Sequence, residues 1–172
     1  MTDLVFTLGG VQVPIHAALE FRQSYDPVGG YSTRRMTSGN LVKQSHWLKQ
    51  KTTIQANGWI PVGLDGLDYS AALLMQCVNP KAIISANNAI IIPAARRSDT
   101  GYGPAGWALL NGEWISTAVV MAADVATLTV VQDATQYRVM FYPEISVYAT
   151  PPQQTGDLNN ASYSWQLVAE EI

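Results

Sequence analysis

Short runs of alternating apolar and polar residues, cut by turn residues, recur along the whole chain. Leu4–Leu8 and Val11–Ile15 flank Gly9-Gly10, a two-residue hairpin signal, and Pro14 inside the second run marks an edge strand. Leu19–Tyr25 sets Leu19, Phe21 and Gln23 against Glu20, Arg22 and Ser24, then meets the turn-rich stretch Asp26-Pro27-Val28-Gly29-Gly30. Thr33–Met36 and Leu41–Ile54 bracket Ser38-Gly39-Asn40, and Thr52-Thr53-Ile54 favours strand. The pattern breaks at Asn57–Gly63. Leu64–Tyr69 reads as one helical turn and Ala71–Val78 as an apolar strand closing at Asn79-Pro80.

The second half continues in the same way. Ala82–Pro93 carries five isoleucines around Ser85-Ala86-Asn87-Asn88 and reads as a tight hairpin. Ala94–Gly106 is the best loop in the chain. Ala108–Leu110 and Glu113–Thr117 flank Asn111-Gly112, the strongest short hairpin signal. A helix over Ser116–Asp124 is opposed by its β-branched residues. Ala126–Val131 and Gln136–Tyr142 flank Asp133-Ala134, and Ile145–Ala149 follows Pro143. Residues 150–160 read as a linker. Residues 161–171 read as a closing strand, with Tyr163, Trp165, Leu167 and Ala169 on one side. Strands every eight to twelve residues or so predict an all-β fold, a β-sandwich or barrel-like domain with long loops and little helix. No internal repeat is present, and residues 1–172 read as a single domain.

Composition sharpens this picture. Charged residues make up only 13% of the chain against about 25% on average, so much of the surface is neutral or apolar and suited to burial in an assembly. Net charge is −3, and the densest basic pairs are Arg34-Arg35 and Arg96-Arg97; nucleic-acid binding needs a clustered basic stripe. The N-terminus lacks a basic region followed by an apolar core, so no signal peptide is expected, and no stretch approaches the ~20 apolar residues of a membrane span. A soluble protein made in the cytoplasm is expected.

Chemistry-bearing clusters are scarce. Cys77 is the only cysteine and lies in an apolar run, so it reads as a small buried hydrophobe. His16 and His46 stand thirty residues apart, too far in sequence to suggest a metal motif. Asp65-Gly66-Leu67-Asp68 lacks the further oxygen ligands of a calcium loop. Glu170 and Glu171 are adjacent, so on a strand they point to opposite faces and cannot flank one glycosidic bond. Gly101-Tyr102-Gly103-Pro104-Ala105-Gly106 spells a dinucleotide fingerprint but lacks the strand before it and the helix after it. No enzyme, cofactor or metal is expected. Among the aromatics, Trp47 and Trp165 lie in strands and read as core. Tyr102 and Trp107 lie in or beside the Gly/Pro loop and read equally as core or as interface. Arg96, Arg97, Tyr102 and Trp107 are therefore the candidate interface. Trp107, Glu113 and Trp114 are the candidate platform if the chain is instead a carbohydrate- or receptor-binding module.

Three stretches carry a resemblance. Lys43–Lys49 with Thr52-Thr53-Ile54 and Gly58-Trp59-Ile60-Pro61, then Leu64–Tyr69, then Tyr163–Glu171, resemble the small tail-tip and baseplate proteins of long-tailed bacteriophages, the distal tail proteins above all. The resemblance implies a β-sandwich subunit in a virion tail. It implies a ring-forming homo-oligomer, a hexamer, below the tail tube, with hub or receptor-binding proteins as further partners. It implies no catalytic residue and no cofactor. The second, carbohydrate-binding-like domain of the larger members is missing, which favours a platform role. Tail-tube, tail-completion and head-decoration subunits share this composition.

Overall fold

The computed structural model describes residues 5–172. Leu4, with which the first predicted strand begins, and the other N-terminal residues before Val5 lie outside the described residues. Among those described, the only helical element is a three-residue 3-10 turn, Ile15–Ala17. In chain order the strands are β1 (Thr7–Leu8), β2 (Val11–Gln12), β3 (Glu20–Arg35), β4 (Leu41–Gly58), β5 (Leu73–Gln76), β6 (Lys81–Ser85), β7 (Ala89–Ile91) and β8 (Ala105–Leu110). They continue with β9 (Glu113–Thr117), β10 (Val119–Ala122), β11 (Val125–Leu128), β12 (Gln136–Phe141), β13 (Glu144–Ala149), β14 (Gln153–Asp157) and β15 (Ser162–Glu171). The fold is all-β, built from antiparallel sheets without a closed barrel.

Contacts divide the chain into two compact units where the sequence reads as one domain. A sandwich unit holds Met75–Ile145 with residues 5–7, and an arm unit holds Leu8–Leu74 and Ser146–Ile172.

The sandwich unit has a four-stranded sheet in the order β6-β12-β8-β9 and a three-stranded sheet in the order β10-β11-β7. One core joins them: Ile90, Ala126 and Leu128 from the smaller sheet meet Ala108, Tyr137, Val139 and Phe141 from the larger. Along β12, Tyr137, Val139 and Phe141 alternate inward, as a half-buried strand requires. The Asn111-Gly112 hairpin forms as predicted, with Leu110 opposite Glu113 and positive φ at both turn residues, 51° and 87°. The Ala82–Pro93 hairpin does not form. β6 pairs with β12 and β7 with β11, so Ser85–Asn88 carries the chain from one sheet to the other. Isoleucines on both sides of a turn serve two facing sheets as well as two paired strands, and pattern alone cannot separate them. Similarly, β11 pairs not with β12 but with β10, a strand that lies within Ser116–Asp124 in place of a helix.

Gly106 begins inside β8 rather than ending a loop. A Cβ there would lie 2.8 Å from Leu128 Cδ2, so the two sheets approach over a missing side chain. Gly106→Val is expected to lower stability by about 1–3 kcal/mol through overpacking. Urea unfolding of the variant against the parent measures it; an unchanged midpoint would show that the sheets separate without penalty.

The arm unit is organised by β15, which pairs with β4, with β14 and with the later residues of β13. Trp165 opposite Ala56 and Leu167 opposite Ile54 face the core, and Trp165 Nε1–H donates to Ala17 O at 2.7 Å. That bond satisfies the one polar atom of a buried indole. The stretch predicted as a linker is half hairpin: β14 lies on β15 with Thr155 opposite Ser164. Leu64–Tyr69 is a non-helical turn, closed by Leu67 N–H to Leu64 O at 3.3 Å and by the Tyr69 hydroxyl to the same oxygen at 2.9 Å.

Candidate assembly surface

β3 and β4 are the longest strands, 16 and 18 residues, and their pairing runs from Glu20 opposite Asn57 to Arg35 opposite Leu41. β15 accompanies β4 only from Lys51 to Gly58. Beyond that point the two strands continue as a two-stranded arm, Pro27–Arg35 against Leu41–Gln50, roughly 30 Å long at strand rise. The predicted turn at Asp26–Gly30 is thus continuous strand. Its glycines serve packing: Gly30 lies beneath the Trp47 indole, and a Cβ on Gly29 would come within 2.9 Å of the Trp47 carbonyl oxygen. A bulge follows, with Gly30 opposite Trp47 but Tyr31 opposite Ser45, so His46 is the extra residue.

Every residue from Tyr31 to Leu48 is exposed. These include Tyr31, Met36, Leu41, Val42, Trp47 at 50% and Leu48 at 70% exposure. Trp47 is therefore not the core residue that its strand setting suggests. A lone two-stranded ribbon has marginal stability in water, and among the described residues none adds a third strand to this one or covers its exposed apolar side chains. Lys43 Nζ stands 4.7 Å above the Tyr31 ring, and the base is tied by Gln50 N–H to Glu171 Oε2 at 3.1 Å. The ion pairs Lys49–Glu171 and Lys51–Glu170, both 3.9 Å and solvent-exposed, add little.

Charge is segregated along the chain. Between Pro27 and Gln50 stand Arg34, Arg35, Lys43 and Lys49 and no acidic residue, so the arm carries +4 and the rest of the chain, −3 overall, carries −7. This asymmetry and the unusual length of Leu41–Ile54 were the sequence signals for the arm; reading Asp26–Gly30 as a turn concealed them.

The residues proposed from sequence lie elsewhere. Arg97 is 1% exposed and Tyr102 is buried, so neither stands free for a neighbour. The Arg97 guanidinium donates to Val5 O at 2.8 Å, Cys77 O at 3.1 Å and both carboxylate oxygens of Asp99 at 3.0 and 2.6 Å, and it lies 3.3 Å from the Tyr102 ring centroid. A loop arginine this well supplied with acceptors is an internal tie. Its hydrogen bonds hold the Asp99 carboxyl below the usual carboxylate range. Arg96 is occupied by Asp124 at 2.8 Å and by the carbonyls of Pro93 and Ala123. Trp107 is half-buried on the outer face of the larger sandwich sheet, with the Arg138 guanidinium 5.7 Å from its ring. Trp114 opposes Leu109 and Ser116 opposes Trp107, so the two tryptophans share that face. Glu113, opposite Leu110, falls on the other.

Asp68 accepts from the Ser70 hydroxyl and backbone, at 2.6 and 2.9 Å, in a local turn. Cys77 is buried. Among the described residues no three His, Cys, Asp or Glu side chains gather as a metal-binding group, and no helix is long and apolar enough to cross a membrane. No protein-family model, curated protein or solved structure matches this chain.

Proposed function

We propose that this chain is a structural subunit that assembles with copies of itself, the basic arm of one copy lying on the acidic surface of the next. The arm carries this reading. An exposed ribbon with six large apolar side chains gains cover only from a partner, and its +4 charge complements the −7 borne by the rest of the chain. Contact of one patch with a different patch is heterologous, and its repetition gives a ring when the rotation between neighbours closes. Resemblance to distal tail proteins supports the narrower form of the proposal. In that form the ring belongs to a bacteriophage tail and joins the tube to hub or receptor-binding proteins. Such a role is architectural and involves no catalysis.

Light scattering after size exclusion tests it. The full chain is expected to run as a closed oligomer, with the arm unit's share of the contact weakened by salt because exposed charges are screened. Replacing residues 27–50 by an Asn-Gly turn between Asp26 and Lys51, which are paired with each other in the ladder, is expected to leave a folded monomer. A full-length chain that stays monomeric at every concentration, or an armless chain that still assembles, overturns the reading.

A further inference from the structure

The outer face of the arm unit's sheet carries a second feature, away from the arm. On β3 and β4 the outward residues form registered rows, Glu20 opposite Asn57 and Arg22 opposite Gln55. They line a groove of about 140 Å³. It adjoins two others of about 240 and 270 Å³ that share Gln55 in their walls. Asn57 Nδ2–H donates to Glu20 Oε2 at 3.0 Å, which fixes both planar groups relative to each other. Two residues along from Asn57 stands Trp59, 64% exposed. Its indole is stacked with the His16 imidazole, ring centroids 6.0 Å apart and planes within 14°.

This aromatic pair is held by the backbone beneath it. Trp59 N–H donates to His16 O at 2.7 Å. Gly58 admits no side chain, since a Cβ there would lie 2.6 Å from Ala17 Cα. Ala17 is in turn anchored by the buried Trp165 indole. An exposed tryptophan held in place against only an imidazole presents a large apolar surface, which suits a ligand that stacks on it.

We propose that the His16–Trp59 stack and the groove of Glu20, Arg22, Gln55 and Asn57 form a binding site for a neutral oligosaccharide. A pyranose ring has an apolar C–H face, which suits a flat aromatic surface, and vicinal hydroxyls, which suit planar side chains that donate and accept in pairs. Asn and Gln offer both functions, Glu only acceptors and Arg only donors. Glu20 and Arg22 cancel in charge, so the groove has no preference for a phosphate or a carboxylate. With one carboxylate it binds and does not hydrolyse. The groove is lined by side chains on the sheet face, whereas a peptide strand would pair along the free outer edge of β3.

Titration of the full chain, as it assembles in solution, tests the site with tetrasaccharides of β-linked glucose, α-linked glucose, galactose and N-acetylglucosamine, read by the tryptophan indole N–H signals in nitrogen–proton spectra. At least one probe is expected to shift the Trp59 indole and the Gln55 and Asn57 side-chain amides, saturably. Trp59→Ala and Gln55→Ala are each expected to weaken that binding about tenfold or more, a loss of roughly 1.4 kcal/mol. Trp114→Ala, in the other unit, should leave it unchanged. Both site residues are on the surface, so their variants should fold, and unfolding of one leaves the other to decide. Failure of all four probes to bind overturns the proposal, as does binding that survives both substitutions. Neither result bears on self-assembly, which is read separately by mass.

Discussion

Arg97→Ala is expected to lower stability by about 3–5 kcal/mol, the largest single-residue loss in the sandwich unit. The guanidinium is 1% exposed, and its removal takes a hydrogen bond or contact from several groups at once. Val5 O and Cys77 O each lose a donor, Asp99 loses a two-pronged partner, and the face of Tyr102 loses its cation. The buried carbonyls contribute more than the ion pair, because the Asp99 side chain is 41% exposed and regains water. The pH dependence separates the two parts. Asp99 has a lowered pKa in the folded state, chiefly from its hydrogen bond with Arg97. Its stabilisation is therefore fully present above the unfolded carboxylate pKa, near 4, and is lost as pH falls through the folded value. Urea unfolding of parent and variant at neutral pH and below that range measures both effects. The variant should be weaker at neutral pH, and the gap should narrow, without closing, in acid. A variant as stable as the parent would show that water replaces the guanidinium at no cost.

Arg97 also shows what could be read from sequence and what could not. Arg96-Arg97 in a Gly/Pro-rich stretch has the composition of an exposed loop, and its burial follows from acceptors at Val5 and Cys77, remote in sequence. The all-β class was legible because alternation and turn chemistry are local. The Asn111-Gly112 and Gly9-Gly10 hairpins formed where their residues placed them, although Gly9-Gly10 joins strands of only two residues each. Partner choice between strands was not legible. Ile83 and Ile90 fit a hairpin as well as they fit two facing sheets, and the sheets are set by contacts with β12 and β11. The arm was hidden by Asp26–Gly30. Proline and paired glycines usually end a strand, yet here Gly30 makes room for Trp47 and the ladder passes through. The His16–Trp59 stack was invisible for another reason: it depends on a 3-10 turn folding back onto the end of β4, forty residues later in the chain.

Leu48→Asp is expected to weaken self-association by about 100-fold or more, roughly 2.7 kcal/mol, while leaving the fold intact. Leu48 is 70% exposed, so the isolated chain loses almost no buried area when its side chain changes. If the arm seats on a neighbour, three penalties arise together. The apolar contact of the leucine is lost, a carboxylate must be stripped of water, and the arm's charge falls from +4 to +3 against an acidic surface. Leu48→Met retains shape and hydrophobicity and should associate as the parent does. Sedimentation across a concentration series, with circular dichroism to verify the fold, measures the effect. Dissociation of the aspartate variant alone would mark the arm's apolar face as the contact, since loss of one unit of charge cannot account for so large a change in salt-screened solution. An undisturbed oligomer would move assembly to another surface, most directly the outer face shared by Trp107 and Trp114. The exposed apolar residues of the arm would then need a partner other than this chain.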